Sequence, residues 1–131
     1  MNARSLTVSL ALAATLALTP PAYAGADDYA FEPITQNIKA GDDVTVAVRL
    51  VHKPSSKPVP DAVIFRTRMD MAPDGMAEME SPLDPQPVAE PGVYAFRTDL
   101  GMEGRYLLSI AAKVQGEPET VIGKITFTAS K

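Results

Sequence analysis

The chain has 131 residues, of which 46% are hydrophobic, 21% charged and 6% aromatic, with 12 Pro, 8 Gly, 6 Met, one His and no Cys. That mixture suits one small globular unit and is too apolar for a disordered chain, and the missing cysteines rule out disulfide frameworks, thiolate zinc or iron–sulfur sites, blue-copper centres and cysteine nucleophiles. A formal net charge of −4 lacks the basic surplus that binding a phosphate backbone needs, so no nucleic-acid partner is expected.

Residues 1–24 read as a secretory signal peptide. Arg4 gives a short positive start, Leu6 to Leu18 form an apolar run, Pro20-Pro21 break it, and Ala22-Tyr23-Ala24 matches a small-x-small cleavage pattern. The apolar run falls short of the roughly 20 residues a spanning helix needs. Cleavage is expected near Ala24/Gly25, releasing a periplasmic or secreted domain, residues 25–131, with no membrane insertion of the mature chain. Losing Arg4 and no acid takes its formal charge from −4 to −5.

Period-two alternation then dominates. A weak strand around Tyr29 to Thr35, interrupted by Pro33, suits a sheet edge. Val44, Val46, Val48 and Leu50 share one parity of a strand over about 43–52, and His52 continues that parity. The proline-rich run 53–60 reads as a loop. A strand over about 61–71 sets Val63, Phe65, Thr67, Met69 and Met71 on one face and Ala62, Ile64, Arg66 and Arg68 on the other, ending in the turn Pro73-Asp74-Gly75. Four prolines make 81–92 a stiff surface connection. Further strands place Tyr94, Phe96 and Leu100, then Tyr106, Leu108, Ile110, Ala112 and Val114, and finally Val121, Ile125 and Phe127 inward. No segment after residue 24 carries a capped helical stripe. The pattern predicts an all-β fold, an Ig-like antiparallel β-sandwich of about 6–7 strands.

The methionines are clustered. Met69, Met71, Met76 and Met79 fall within 69–79, and Met102 sits in the turn before the strand that starts near 104. A thioether is a soft, neutral donor suited to Cu(I) or Ag(I); it needs no deprotonation and cannot form a disulfide. Met69 and Met71 project to one strand face, the 73–75 turn can return Met76 or Met79 towards them, and His52 is the only imidazole able to join. The candidate metal ligands are therefore Met69, Met71, Met76, Met79, Met102 and His52. The same residues also fit a second account, since Met69 and Met71 share the parity of Val63 and Phe65 and methionine is common in cores and at adaptable docking surfaces. Asp70, Asp74, Glu78 and Glu80 interleave with the sulfurs without the spacing of a calcium loop and read as a solvated face.

No G-x-S-x-G, H-E-x-x-H or phosphate-binding glycine loop occurs, and the single His beside Ser55 and Ser56 makes a poor triad, so no enzymatic activity is expected.

Pro58-Val59-Pro60-Asp61-Ala62, Met69-Asp70-Met71, Pro73-Asp74-Gly75-Met76, Pro91-Gly92-Val93-Tyr94 and Met102-Glu103-Gly104-Arg105-Tyr106 occur in that order. In this the stretch 43–128 resembles the YtkA-like (FixH-related) domain family. The resemblance implies an Ig-like sandwich in exported or membrane-tethered bacterial proteins that accompany heavy-metal efflux or cytochrome oxidase assembly. It places Met69, Met71, Met76 and Met102 at the family's methionine positions, and Tyr106 where many members have Trp. The expectation is a periplasmic Cu(I)- or Ag(I)-binding carrier. The alternative is a metal-free interaction module that docks on an envelope efflux or oxidase-assembly partner.

Overall fold

The computed structural model describes residues 25–131; the leader expected at 1–24 lies outside them. The strands are β1 (Tyr29–Pro33), β2 (Asn37–Lys39), β3 (Gly41–His52), β4 (Lys57–Pro58), β5 (Val63–Met71), β6 (Met76–Ser81), β7 (Leu83–Gln86), β8 (Val93–Leu100), β9 (Gly104–Lys113) and β10 (Thr120–Ser130). One sheet runs β1-β3-β8-β7, with β4 also pairing β3, and the other runs β2-β10-β9-β5-β6. All neighbours are antiparallel except β2, which lies parallel to β10. The fold is the expected all-β sandwich, and no described helix is long and apolar enough to cross a membrane.

Alternation builds the core. Val46, Val48, Phe96 and Leu100 of one sheet pack against Met69, Met71, Tyr106, Leu108, Ile110, Ile125, Phe127 and Ala129 of the other. A second cluster, Leu50, Val114 and Val121, closes the opposite end, backed by Tyr29, Val59 and Tyr94. Dispersion and apolar burial across this layer carry the fold.

Six strands lie where the pattern predicts them, and four short ones are not predicted. Two of these, β6 and β7, fall where the alternation is weakest. In β6, Ala77, Glu78, Met79 and Glu80 are all exposed, so neither face carries an apolar row. Pro85 within β7 belongs to a sheet edge, where its missing N–H deprives no neighbour. The stretch 81–92 is therefore more than a connection: Pro82 carries the chain from one sheet's edge to the other's.

The predicted faces of β5 need correction. Pairing with β9 shifts register between Ile64 and Arg66, and such a bulge reverses the parity on its two sides. Ile64 packs against the core, whereas Val63 and Phe65 are 64% and 50% exposed. Beyond the bulge, Met69 and Met71 point inward at 1% exposure each.

Candidate functional site

Methionine marks one end of the sandwich. Met71 closes β5, and its Cα pairs across to Met76 at the start of β6. A single 3-10 turn, Ala72–Asp74, joins them and is closed by Gly75 in the left-handed region. Two carboxylates fasten this turn. Asp70 Oδ1 accepts from the Ala72 N–H at 2.9 Å and Oδ2 from Arg68 Nε at 2.7 Å. Asp74 accepts from the Arg105 N–H and from Arg105 Nε, both at 2.8 Å, tying the turn to β9. Arg68 also donates to the Ala77 carbonyl at 2.8 Å and pairs with Glu80, holding β6 in place. Burial pushes the Asp70 carboxyl up, but its bonds to Arg68 and Ala72 outweigh this and leave its pKa lowered. The Arg105 N–H, with its guanidinium, lowers that of Asp74.

Gly104 opens β9 at φ 147°, a conformation L side chains rarely adopt. A Cβ there would stand 2.5 Å from Asp74 Oδ2 and 2.7 Å from the Met71 methyl carbon. Glycine thus lets the 101–104 turn close over Met71. On the neighbouring sheet, β3 pairing shifts between Gly41 and Val44. Asp43 there sits at φ 60°, with its N–H donated to Asp99 Oδ1 at 3.0 Å.

These pieces enclose a shallow cavity of about 220 Å³ lined by Met71, Met79 and Met102, with Tyr106 and the acids Asp42, Asp99 and Glu80. Three of the six predicted ligands therefore share one opening. Met71 contributes from its buried position, while Met79 and Met102 are 45% and 47% exposed. The remaining three lie elsewhere. Met69 is sealed in the core, Met76 packs half-buried against it, and His52 ends β3 at the opposite end from Gly41, whose Cα pairs with Leu100. At about 3.3 Å per residue along a strand, His52 is on the order of 30 Å from the methionine end. Its ring packs on Tyr29 at 5.3 Å between centroids, and Nδ1 is hydrogen-bonded to Ser55 Oγ at 2.7 Å.

Hard-ion chemistry finds little here. Among the described residues no group of three His, Asp or Glu side chains is placed to hold a metal. The interleaved acids divide: Asp70, Asp74 and Glu80 are ion-paired, which the sequence reading of a plain solvated face did not anticipate. Asp42 and Asp99, which also line the cavity, lie far away in sequence from the methionine stretch and come from the facing sheet, where β3 and β8 pair at Gly41 and Leu100.

A larger cavity, about 560 Å³, is elsewhere, between the first half of β5 and the 85–96 segment, with Phe65, Val88, Pro85 and Tyr94 on its walls. Ladder pairing of β6 with β5 is confined to Met69–Met71, so residues 63–68 have an unpaired second edge.

Among solved structures, the Lin-41 filamin domain is similar at a TM-score of 0.45 and 18% identity, covering 82% of this chain and 95% of its own. The ZirS C-terminal domain is similar at a TM-score of 0.44 and 12% identity, covering 100% of this chain and 87% of its own. No curated protein matches significantly. A family model described as YtkA-like matches residues 23–111, a span that holds Met69, Met71, Met76, Met79 and Met102 and ends within β9. The chain belongs to the YtkA-like family.

Proposed function

We propose that this chain is an exported carrier of a soft monovalent cation, Cu(I) or Ag(I), bound by Met71, Met79 and Met102 and passed to an envelope partner. The observation that carries the reading is that three methionines from three separate elements, β5, β6 and the 101–104 turn, line one open cavity. Their donors are neutral and soft, and they exchange readily, which suits handover better than storage. The carboxylates of Asp42, Asp99 and Glu80 raise the local concentration of any cation while lacking the geometry to bind a hard one. Met69 and Met76 serve the core, and His52 is too distant to join the donor set.

Anaerobic Cu(I) titration against a competing chelator tests this. Wild type should bind tightly, Met79→Leu/Met102→Leu should bind about tenfold more weakly or worse, and His52→Ala should match wild type. Equal binding by wild type and the leucine variant ends the reading. Export carries its own check: the protein recovered from the envelope should begin near Gly25.

A second reading, a metal-free interaction module, is supported by the other cavity. Phe65 and Val88 are 50% and 40% exposed on its walls, and an open strand edge there is a template for strand addition. Under this reading Phe65→Glu abolishes cross-linking to an envelope partner, whereas Met79→Leu/Met102→Leu leaves it intact because those residues line the other cavity.

A further inference from the structure

We propose that Met79 and Met102 form a reversible oxidation site, whose conversion to sulfoxides discharges the bound soft cation while the fold persists. The discharge rests on the reading of Met71, Met79 and Met102 as donors; the selectivity of oxidation does not. Exposure divides these methionines sharply, with Met79 at 45% and Met102 at 47% against 1% for both Met69 and Met71. Thioether oxidation follows access, so a small oxidant reaches the outer pair first.

The outer pair can also change polarity without breaking the core. Met79 lies on an exposed edge strand and Met102 in a surface turn, and neither belongs to the buried cluster. An oxygen on Met69, which does not line the cavity, would instead be sealed in the apolar core, a costly burial. With hydrogen peroxide as oxidant, a sulfur lone pair attacks one peroxide oxygen and the O–O bond breaks. Sulfur is oxidised by two electrons to S=O, and the second oxygen leaves with both protons as water. The sulfoxide has lost the soft sulfur donor and offers a hard oxygen instead, which Cu(I) and Ag(I) bind poorly. Two of the three donors are thus removed by a modification that sulfoxide reductases reverse.

The test treats metal-free protein with graded peroxide and maps oxygen uptake by peptide mass spectrometry. Ag(I), which does not cycle with peroxide under these conditions, is then titrated against a chelator. Met79 and Met102 should each gain one oxygen at doses about tenfold below those needed for Met69 and Met71, with the β-sheet circular dichroism retained. Ag(I) affinity should fall about tenfold or more and return after treatment with both sulfoxide reductases. Met79→Leu/Met102→Leu should show no further peroxide sensitivity. Equal oxidation of the buried pair, unfolding on oxidation, unchanged affinity after oxidation, or peroxide sensitivity in the double variant overturns the inference and leaves the donor reading standing. Untreated protein that fails to bind Ag(I) removes the donor reading and the discharge together.

Discussion

The Tyr106 hydroxyl donates to the Met102 carbonyl oxygen at 2.9 Å, so a residue only 3% exposed fixes the backbone of a turn whose methionine side chain stands 47% in solvent. The core thereby positions the cavity wall. Tyr106→Phe keeps the ring and removes that bond. Chemical denaturation should show a loss of about 0.5–1.5 kcal/mol. Cu(I) affinity should fall by more than in His52→Ala, because Met102 is no longer held at the opening. Unchanged affinity with reduced stability would show that the bond serves the fold alone.

Gly104 carries a sharper consequence. Alanine there meets both a φ of 147° and the close approach of the Asp74 carboxylate and Met71 methyl group. The methyl group can swing aside, but the backbone conformation cannot be relieved so simply. Gly104→Ala should destabilise by about 1–3 kcal/mol in denaturant unfolding, and the Met71 methyl resonance should shift. A stability equal to wild type would mean that the turn relaxes without strain.

The methionines themselves separate packing from chemistry. Met69→Ala removes a side chain sealed among Leu108 and its neighbours and should cost about 2–5 kcal/mol. Met79→Ala alters an exposed edge position and should stay within about 0.5 kcal/mol of wild type. Metal affinity should rank the other way, falling strongly for Met79→Ala and little for Met69→Leu, which preserves core volume. Thermal unfolding and chelator competition on the same samples read both orders.

Much of this fold was legible because burial imposes a period. Val46, Val48 and Leu50, or Leu108, Ile110 and Ala112, alternate without interruption, and each of those residues is buried. The face of β5 could not be read through its bulge, because an inserted residue leaves no mark in composition. Val63 and Phe65 look like core by parity and are exposed by register. The edge strands were hidden for a different reason: β6 has no apolar face, and the proline in β7 is tolerated only because nothing pairs on its outer side. At the site, clustering in sequence identified the methionines but not which of them share an opening. Met102, Asp42 and Asp99 reach the cavity from distant parts of the chain, and His52, on the right parity of β3, lies at its wrong end. Gly104 carried a faint signal, a glycine closing a short turn before an alternating strand.

Acid should undo the methionine end through Asp70 and Asp74. Both carboxyls titrate below their ordinary range in the folded protein: Asp74 because Arg105 donates to it, and Asp70 because Arg68 and the Ala72 N–H outweigh its burial. A depressed folded pKa means that the unfolded chain binds more protons across the interval between the two values, so stability rises with pH there. The contribution is fully present above the unfolded value of about 3.9 and is lost as pH falls through the folded one. Urea unfolding from pH 2 to 7 should therefore show a steep acid limb that flattens in Asp74→Asn. Because thioethers hold no titrating proton, Cu(I) affinity should stay level from neutrality down to the onset of that limb. A decline in affinity that sets in well above that limb would show a titrating donor and break the thioether-only donor set.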